Sequence, residues 1–549
     1  MIRINQIQIS IFEKDQKKAL LEKTAKMLRI PTDGFRKFRV IRRSVDARNK
    51  RSICFSYIVE AKLRDTFTGP NRKTEQEYID KLKNDNIVLS EYVPVTIPDA
   101  ATEGRDTNEY RPVVVGAGPC GLFAALALCS AGLKPLVIER GKKAEERKRD
   151  VDRFFETGVL DTSSNVQFGE GGAGLFSDGK LNTSIKDKES YIHFVLETFV
   201  EFGADPDVLV NAKPHIGTDV LFQVIQNIRA FIEENGGTFH YQTKFTGFET
   251  EGGKLKKACF EGEINEVTTD TVILATGHSA RDTYRMLKEN GIPMEKKPFA
   301  VGIRIQHPQS LIDAGMYGAD DLNQKREILG PASYSLSHRC KNGRAVFSFC
   351  MCPGGYVINS SSEEGGTVVN GMSYAGRDSG AANSALIVNV DPEDFPGDEL
   401  AGLKFQRELE EKAFALAGGL IPYESYEDFK NGMKHPTGDP GSFSPAFKGM
   451  SLPADVRSAL PGFVSEAVIE GTESFGRQIP GFNGKEAVIA GVESRTSSPV
   501  RIARNETHQT NVKGLYAAGE GAGYAGGITS AAVDGLITAI RVIENFNRG

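Results

Sequence analysis

The chain has 549 residues, 40% of them hydrophobic and 25% charged, and its 67 basic and 72 acidic side chains leave a net charge of −5. That balance excludes a whole-chain polycation built for nucleic acid, and at roughly 150 residues per domain the length predicts about two to four domains. Seven cysteines, an odd and sparse set, argue against a disulfide framework and for reduced thiols in a cytoplasmic protein. The N-terminus, MIRINQIQISIFEKDQKK, lacks the apolar run and small-residue cleavage site of a signal peptide. The longest apolar region, Val113 to Ile138, is interrupted by four glycines, two prolines and a lysine, so a strand, a helix and a strand are expected there rather than a membrane span.

Residues 1–98 read as a small α/β domain. Ile4, Ile7, Ile9 and Ile11 mark a first strand, and residues 14–29 a helix with Leu21, Ala25 and Leu28 on one face. FRKFRVIRRSV and RSICFSYIVEAKL predict two strands joined around Asp46–Lys50, followed by a helix near Thr74–Asn84 and a strand near Ile87–Val95. The order β-α-β-β-α-β predicts a ferredoxin-like fold. Residues 1–65 carry 17 Lys and Arg against 7 Asp and Glu. Such a surplus is either a footprint for RNA or a basic face that docks on the acidic remainder. Residues 99–110 are polar and aperiodic and read as a linker.

The stretch 111–280 opens with PVVVGAGPCG, a buried-strand pattern running into G-x-G-x-x-G at Gly116, Gly118 and Gly121, with Pro119 and Cys120 between the last two glycines. LFAALALCSAG continues as a helix, and KPLVIER gives a second strand ending in Glu139 and Arg140. A tight turn, close backbone approach to a pyrophosphate and close helix–strand packing each demand one of the glycines. The helix N-terminus offers free N–H groups to phosphate, and Glu139 can accept from a ribose diol. A kinase-type glycine loop would lead into a strand rather than an alanine-rich helix. Cys120 reads as a small residue beneath the pyrophosphate.

Three later segments point to FAD as the dinucleotide. QFGEGGAGLFSDGKLNT contributes Gly172, Ala173, Gly174 and Lys180, DTVILATG contributes Ala275, Thr276 and Gly277, and GLYAAGEGAGYAGGIT contributes Gly519, Glu520, Gly526, Gly527 and Ile528. The last lies almost 400 residues beyond the fingerprint, so the FAD-binding domain is expected to be interrupted and resumed at 501–549. GAGPCGLFAA, FGEGGAGLFSDGKLNT, ILATGHSARDT, FCMCPGG, ESRTSSPVRI and GLYAAGEGAGYAGGI together resemble the FAD-dependent dehydrogenases of the two-dinucleotide-binding-domain flavoprotein superfamily that carry an extra N-terminal domain. The resemblance covers nearly the whole chain. It implies a Rossmann-like FAD-binding domain, with Glu520 holding the ribityl chain and the helix from Gly527 facing the flavin N1/C2 carbonyl. There a helix N-terminus stabilises the charge of the reduced ring. Beyond the FAD segments just quoted, no further G-x-G-x-x-G and no C-x₄-C pair follows. NAD(P)H is therefore expected only as a transient visitor to the flavin.

Residues 281–500 predict an α+β substrate domain with a mainly antiparallel sheet. FAVGIRIQ, RAVFSFCM, TVVNGMSY and SALIVNVD read as strands and KFQRELEEKAFALAG as a helix. The substrate, a small organic molecule, is expected in the cleft between the domains. Candidate catalytic groups are Cys350 and Cys352 of SFCMCPGG, Lys180 and His278. The two cysteines suit a redox pair, a nucleophile, a substrate contact or small wall residues. A metal site is not expected, because no second ligand pair stands at zinc spacing. In a regular strand both thiols would face one side with Cα atoms roughly 6.5–7 Å apart, at the limit of disulfide reach. Arg495 and Arg501 suit either a carboxylate clamp or ordinary ion pairs. His215 and His307, each beside a proline, read as structural.

Overall fold

The computed structural model describes residues 1–67, 74–90, 93–102, 111–183, 185–186 and 190–548. At the N-terminus four strands hydrogen-bond in the order Phe35–Asp46, Cys54–Leu63, Ile2–Ser10, Ile87–Leu89, every neighbouring pair antiparallel. With helices Gln16–Leu28 and Glu75–Leu82 between them, this is the ferredoxin-like order. The uneven spacing from Ile4 to Ile7 is absorbed by a bulge, with Gln6 at φ +57° and a register shift between the two isoleucines. Both side chains therefore stay in the core. On the first helix Leu20, not Leu21, is buried with Thr24, Ala25 and Leu28. The last strand stops at Leu89, short of the expected Val95.

The domain docks through backbone and charge. Arg43 donates its N–H to Val210 O and accepts from Ala212 N, and its guanidinium pairs with Asp207 at 2.6 Å. Arg3 and Arg39 are held by the buried Glu60. Part of the basic surplus thus serves internal pairs. Most of the expected linker, residues 103–110, lies outside the described residues.

The central sheet has five parallel strands in the order Leu515–Ala517, Val272–Leu274, Val113–Val115, Leu136–Ile138, Thr238–His240. The three valines at 113–115 are buried on both faces, as a doubly covered parallel strand requires. Helix Pro119–Ser130 is apolar all round because it lies between this sheet and helix Ile528–Arg548. The C-terminal strand and helix therefore complete the sheet begun at Val113. An antiparallel meander, Lys244–Glu251, Lys254–Glu261 and Glu266–Thr268, is added beside it.

The inserted region forms a seven-stranded sheet ordered Ser337–Arg339, Ala345–Cys352, Ala381–Val390, Phe299–Pro308, Val488–Glu493, Ile421–Ser425, Ser451–Pro453. Only the last pair is parallel. The two chain crossings into and out of this region, Met294–Lys296 and Val500–Ile502, pair with each other. Among the described residues no helix is long and apolar enough to cross a membrane.

Candidate functional site

A cavity of about 410 Å³ lies where the parallel sheet meets the inserted sheet. Val115, Ile138, Ala275 and Glu520, at or just past the carboxyl ends of four sheet strands, all line it. This is the crevice in which open α/β sheets bind ligands. The far wall is supplied by the inserted domain, through Phe349, Cys350, Asn370, Glu493 and Arg495.

At the fingerprint end Gly116 adopts φ +108°, and a Cβ there would stand 2.4 Å from Ala275 O. A Cβ on Gly121 would stand 1.8 Å from Gly116 O. Both glycines are therefore required by the turn and the close packing behind it. Glu139 is buried, and its carboxylate already accepts from Ala117 N (2.8 Å), Gly141 N (2.9 Å) and Gly169 N (3.0 Å). It ties the fingerprint turn to the glycine-rich loop and keeps about one lone-pair sector for a ligand. That loop is shaped by Arg147, which is fully buried and donates to the carbonyls of Asn165, Val166, Gly169, Glu170 and Gly172 at 2.7–3.2 Å. Burial lowers its pKa to about 10, and Glu139 and Glu170 act in the opposite sense.

The other end of the cavity is a buried cluster of charges and thiols. Lys180 Nζ lies 2.6 Å from Asp178 Oδ2, 3.9 Å from Cys350 Sγ and 3.7 Å from Cys352 Sγ. Asp178 also accepts from Ser373, pairs with Arg377 (3.3 Å) and lies 3.3 Å from His215 Nε2. Burial raises the Asp178 carboxyl, but Lys180, His215 and Arg377 outweigh it and hold the group well below the usual carboxylate range. Behind the thiols, Arg304 forks onto Glu493 (Nε–Oε2 2.5 Å, Nη2–Oε1 3.2 Å) and donates to Cys350 O at 2.8 Å. The hydrogen bond from Cys352, then the Lys180 and Arg304 cations, hold the Cys350 thiol well below its ordinary value, whereas burial pushes Cys352 up. The strand does not run regularly through the pair. Its register slips between Phe349 and Cys352, and Cys350 has φ +44°.

Between these ends, His278 Nδ1 lies 3.1 Å from Glu520 Oε1, and its buried Nε2 has no partner among the described residues. Arg140 pairs with Asp282 at 3.0 Å and lies over the Phe168 ring at 4.5 Å.

Three segments match family models: residues 298–496 match "FAD-dependent protein, C-terminal domain-like", 109–151 match "FAD binding domain", and 1–62 match "Domain of unknown function (DUF8436)". A protein of Clostridium beijerinckii is 41% identical over 552 residues, covering 100% of this chain and 99% of its own. The chain belongs to this family of FAD-dependent flavoproteins. Solved structures resemble it remotely. A quinol fumarate reductase subunit of E. coli is 12% identical over 80% of this chain and 70% of its own, with a TM-score of 0.35. L-proline dehydrogenase from P. horikoshii is 12% identical over 80% and 94%, with a TM-score of 0.33.

The cofactor of this flavoprotein is FAD, and its residues suit the group. The fingerprint turn presents a helix N-terminus to the cavity, with Gly118 at the cap and Pro119 in the first turn. At the opposite helix, a Cβ on Gly526 or Gly527 would meet nothing within 4 Å, so the backbone before Ile528 stands open to a ligand. The unpartnered His278 Nε2 is a buried polar atom of the kind a bound group satisfies.

Nearly every candidate named from the sequence lines the one cavity, including Gly172, Ala173, Gly174, Thr276, Gly277, His278, Lys180 and Cys350. Three lie just behind it. Gly121 packs under Gly116, Gly519 packs against Cys120, where a Cβ would stand 2.9 Å from the thiol, and Cys352 is fully buried behind Cys350. Burial pushes the Cys120 thiol well up, so it is an inert packing group. His215 joins the Asp178 cluster, with Nε2 3.3 Å from the Asp178 carboxylate. His307 is structural, with Nε2 2.7 Å from Phe482 O and its pKa lowered by burial to about 4. Arg495 clamps a carboxylate of the protein itself, the buried Glu410 (2.8 and 2.9 Å), which Arg281 also grips. Arg501 pairs with Glu295 at 3.4 Å. The sequence reading missed Asp178, Arg304, Glu493 and Arg147. Asp178 stood two residues before Lys180, a signal that an ammonium–carboxylate pair was at hand.

Proposed function

We propose that this flavoprotein is a dehydrogenase acting on a small organic substrate held at the inserted-domain wall of the cavity. The supporting observation is the continuity of one cavity from the fingerprint glycines to Lys180, Cys350 and Glu493. Bound FAD supplies two-electron chemistry, exchanged as hydride at N5. The chain's own residues do the rest. Gly116, Gly118 and the N–H groups of Cys120 and Gly121 would receive the pyrophosphate, and Glu139 offers its remaining acceptor site to ribose. His278 Nε2 and Glu520 stand for the polar chain between, and the turn Gly526–Ile528 for the charged edge of the ring. Lys180 orients an electron-rich substrate atom and holds a proton there. Glu493, raised by burial to about 7 against the pull of Arg304, is poised to hold or release a second proton near neutral pH. Phe349 and Asn370 complete the wall against water.

The test is the visible spectrum of the anaerobic holoprotein, followed while NADPH, NADH and then panels of alcohols, amines and hydroxy acids are added. Bleaching with an organic substrate, but not with nicotinamide alone, is the expected result. A flavin reduced only by nicotinamide and reoxidised by no organic acceptor would defeat the proposal.

A further inference from the structure

We propose that Cys350 and Cys352 form a reversible dithiol–disulfide couple that exchanges an electron pair with the FAD beside it. The inference rests on the redox reading of this cavity and adds a second redox centre to it.

The geometry carries the argument. Cys350 is on the cavity wall and Cys352 is directly behind it. One ammonium, Lys180 Nζ, lies within 3.9 Å of both sulfurs. The Cys352 thiol donates to the carbonyl oxygen of Cys350 at 3.2 Å, which folds the two residues towards each other. Regular strand spacing would leave the pair at the limit of disulfide geometry. The chain escapes that spacing by slipping register between Phe349 and Cys352 and by placing Cys350 at φ +44°. A left-handed conformation at a residue with a side chain is unfavourable and persists only where the surroundings enforce it. Here Arg304 enforces it through Cys350 O, anchored in turn by Glu493, Asn383 and Asn370. Two cations and a bulge thus converge on two sulfurs at a cofactor wall. For small apolar packing residues that arrangement would be pure cost. Among the described residues no such cation lies at hydrogen-bonding distance from the remaining cysteines, which include the buried Cys120, Cys129 and Cys340.

The step balances as follows. In the reduced pair Cys350 is a thiolate beside Lys180, and Cys352 carries its proton. Oxidation breaks the Cys352 S–H bond, forms one S–S bond and releases two electrons and one proton. The electron pair reduces FAD, and the proton goes with it or to solvent. Reduction of the disulfide by the reduced cofactor is the reverse.

The test is an anaerobic dithionite titration of the holoprotein, pre-equilibrated with oxidised glutathione and desalted. Wild type is expected to take up about four electrons per FAD and the Cys352→Ser variant about two, since each couple holds two. Acid quenching, alkylation and mass spectrometry of the peptide containing both cysteines should show them blocked together before titration and free after it. Lys180→Met should slow alkylation of Cys350 at pH 7 about tenfold, as loss of thiolate character requires. Uptake of about two electrons by wild type, with both thiols alkylatable throughout, would overturn the proposal. So would a disulfide that forms but adds nothing to the flavin titration. The flavin spectrum of the Cys352→Ser protein verifies its fold. Because dithionite reduces FAD without a substrate, failure of the dehydrogenase reading would leave this result untouched.

Discussion

Replacing Arg147 by methionine should release the glycine-rich loop and, with it, FAD. Methionine fills the channel occupied by the arginine stem but donates nothing. Five carbonyls lose their shared donor, and two of them keep a second partner, Gly169 O with Gly172 N and Gly172 O with Leu175 N. At the low end of ~1 kcal/mol for each buried unpaired acceptor, the other three amount to roughly 3 kcal/mol. That is less than the stability of an ordinary domain, ~5–15 kcal/mol, so the chain folds and the loop relaxes instead. If binding must re-form most of the loop, about 3 kcal/mol appears as a roughly hundredfold weaker FAD Kd. Arg147→Lys, with at most three donors, should fall between. Recovery of FAD fluorescence on serial dilution of the holoprotein measures the Kd, and circular dichroism confirms the fold. A folded Arg147→Met protein with a Kd within about threefold of wild type would refute the coupling of this guanidinium to the cofactor loop.

The fingerprint glycines should separate by cause. Gly121→Ala drives a Cβ to 1.8 Å from Gly116 O and should abolish soluble expression, whereas a Cβ on Gly118 comes no closer than 3.6 Å to Gly172 Cα, so Gly118→Ala should fold with its thermal midpoint nearly unchanged and lose FAD affinity. Glu410→Ala removes the carboxylate shared by Arg281 and Arg495 and should cost about 3–5 kcal/mol in urea unfolding, the usual penalty for stranding buried charge. Glu424, buried with no ion-pair partner among the described residues and faced by Asp455 and Asp428, has its pKa raised by burial to about 8. The folded state then binds the proton more tightly than the unfolded chain, so stability is fully present below the ordinary glutamate pKa and is lost as pH rises towards 8. Glu424→Gln should flatten that decline between pH 5 and 8, a difference on the order of a few kcal/mol at the upper end, and parallel pH profiles of the two proteins would contradict it.

The parts legible in sequence were those whose cause is local. Strand, glycines, helix and terminal acid of the fingerprint lie within one βαβ unit, where Gly121 packs on Gly116 and Glu139 accepts from Ala117 N. Three motif segments, the fingerprint, DTVILATG and GLYAAGEGAGYAGGIT, converge because each ends a strand of the same parallel sheet, and the glycine-rich loop joins them through Glu139. What escaped depends on distant partners. Arg147 sits in AEERKRD, which reads as a solvated helix face, and only the folded loop shows it buried. Glu410 in RELEEK looks equally exposed, yet its partners lie 85 and 129 residues away. The alternation rule placed Cys350 and Cys352 on one side of a strand. It missed the bulge, because a bulge is set by register against Ala381–Val390 and by Arg304, neither visible in SFCMCPGG.

The interruption of the FAD-binding domain is what makes the site possible. The parallel sheet alone offers phosphate-binding turns but no wall opposite them, and the inserted sheet alone offers charged side chains with nothing to act on. Their mutual position is fixed by short, buried and directional contacts. The crossings Met294–Lys296 and Val500–Ile502 pair as strands, and Glu410 of the insertion grips Arg281 of the sheet domain while Arg495, on the return segment, touches both Glu410 and Ser279. Buried ion pairs contribute little net stability because desolvation offsets their attraction, but a misaligned pair is expensive, so they select one arrangement over near alternatives. Lys180 depends on that selection. It comes from the FAD-binding side and meets the thiols of the inserted side at under 4 Å, a distance that a slip of one ångström between the sheets would open beyond useful contact. The chemistry at the cavity wall is therefore a property of the joint between the two sheets, and substitutions in the Glu410 latch should perturb Cys350 reactivity from a distance.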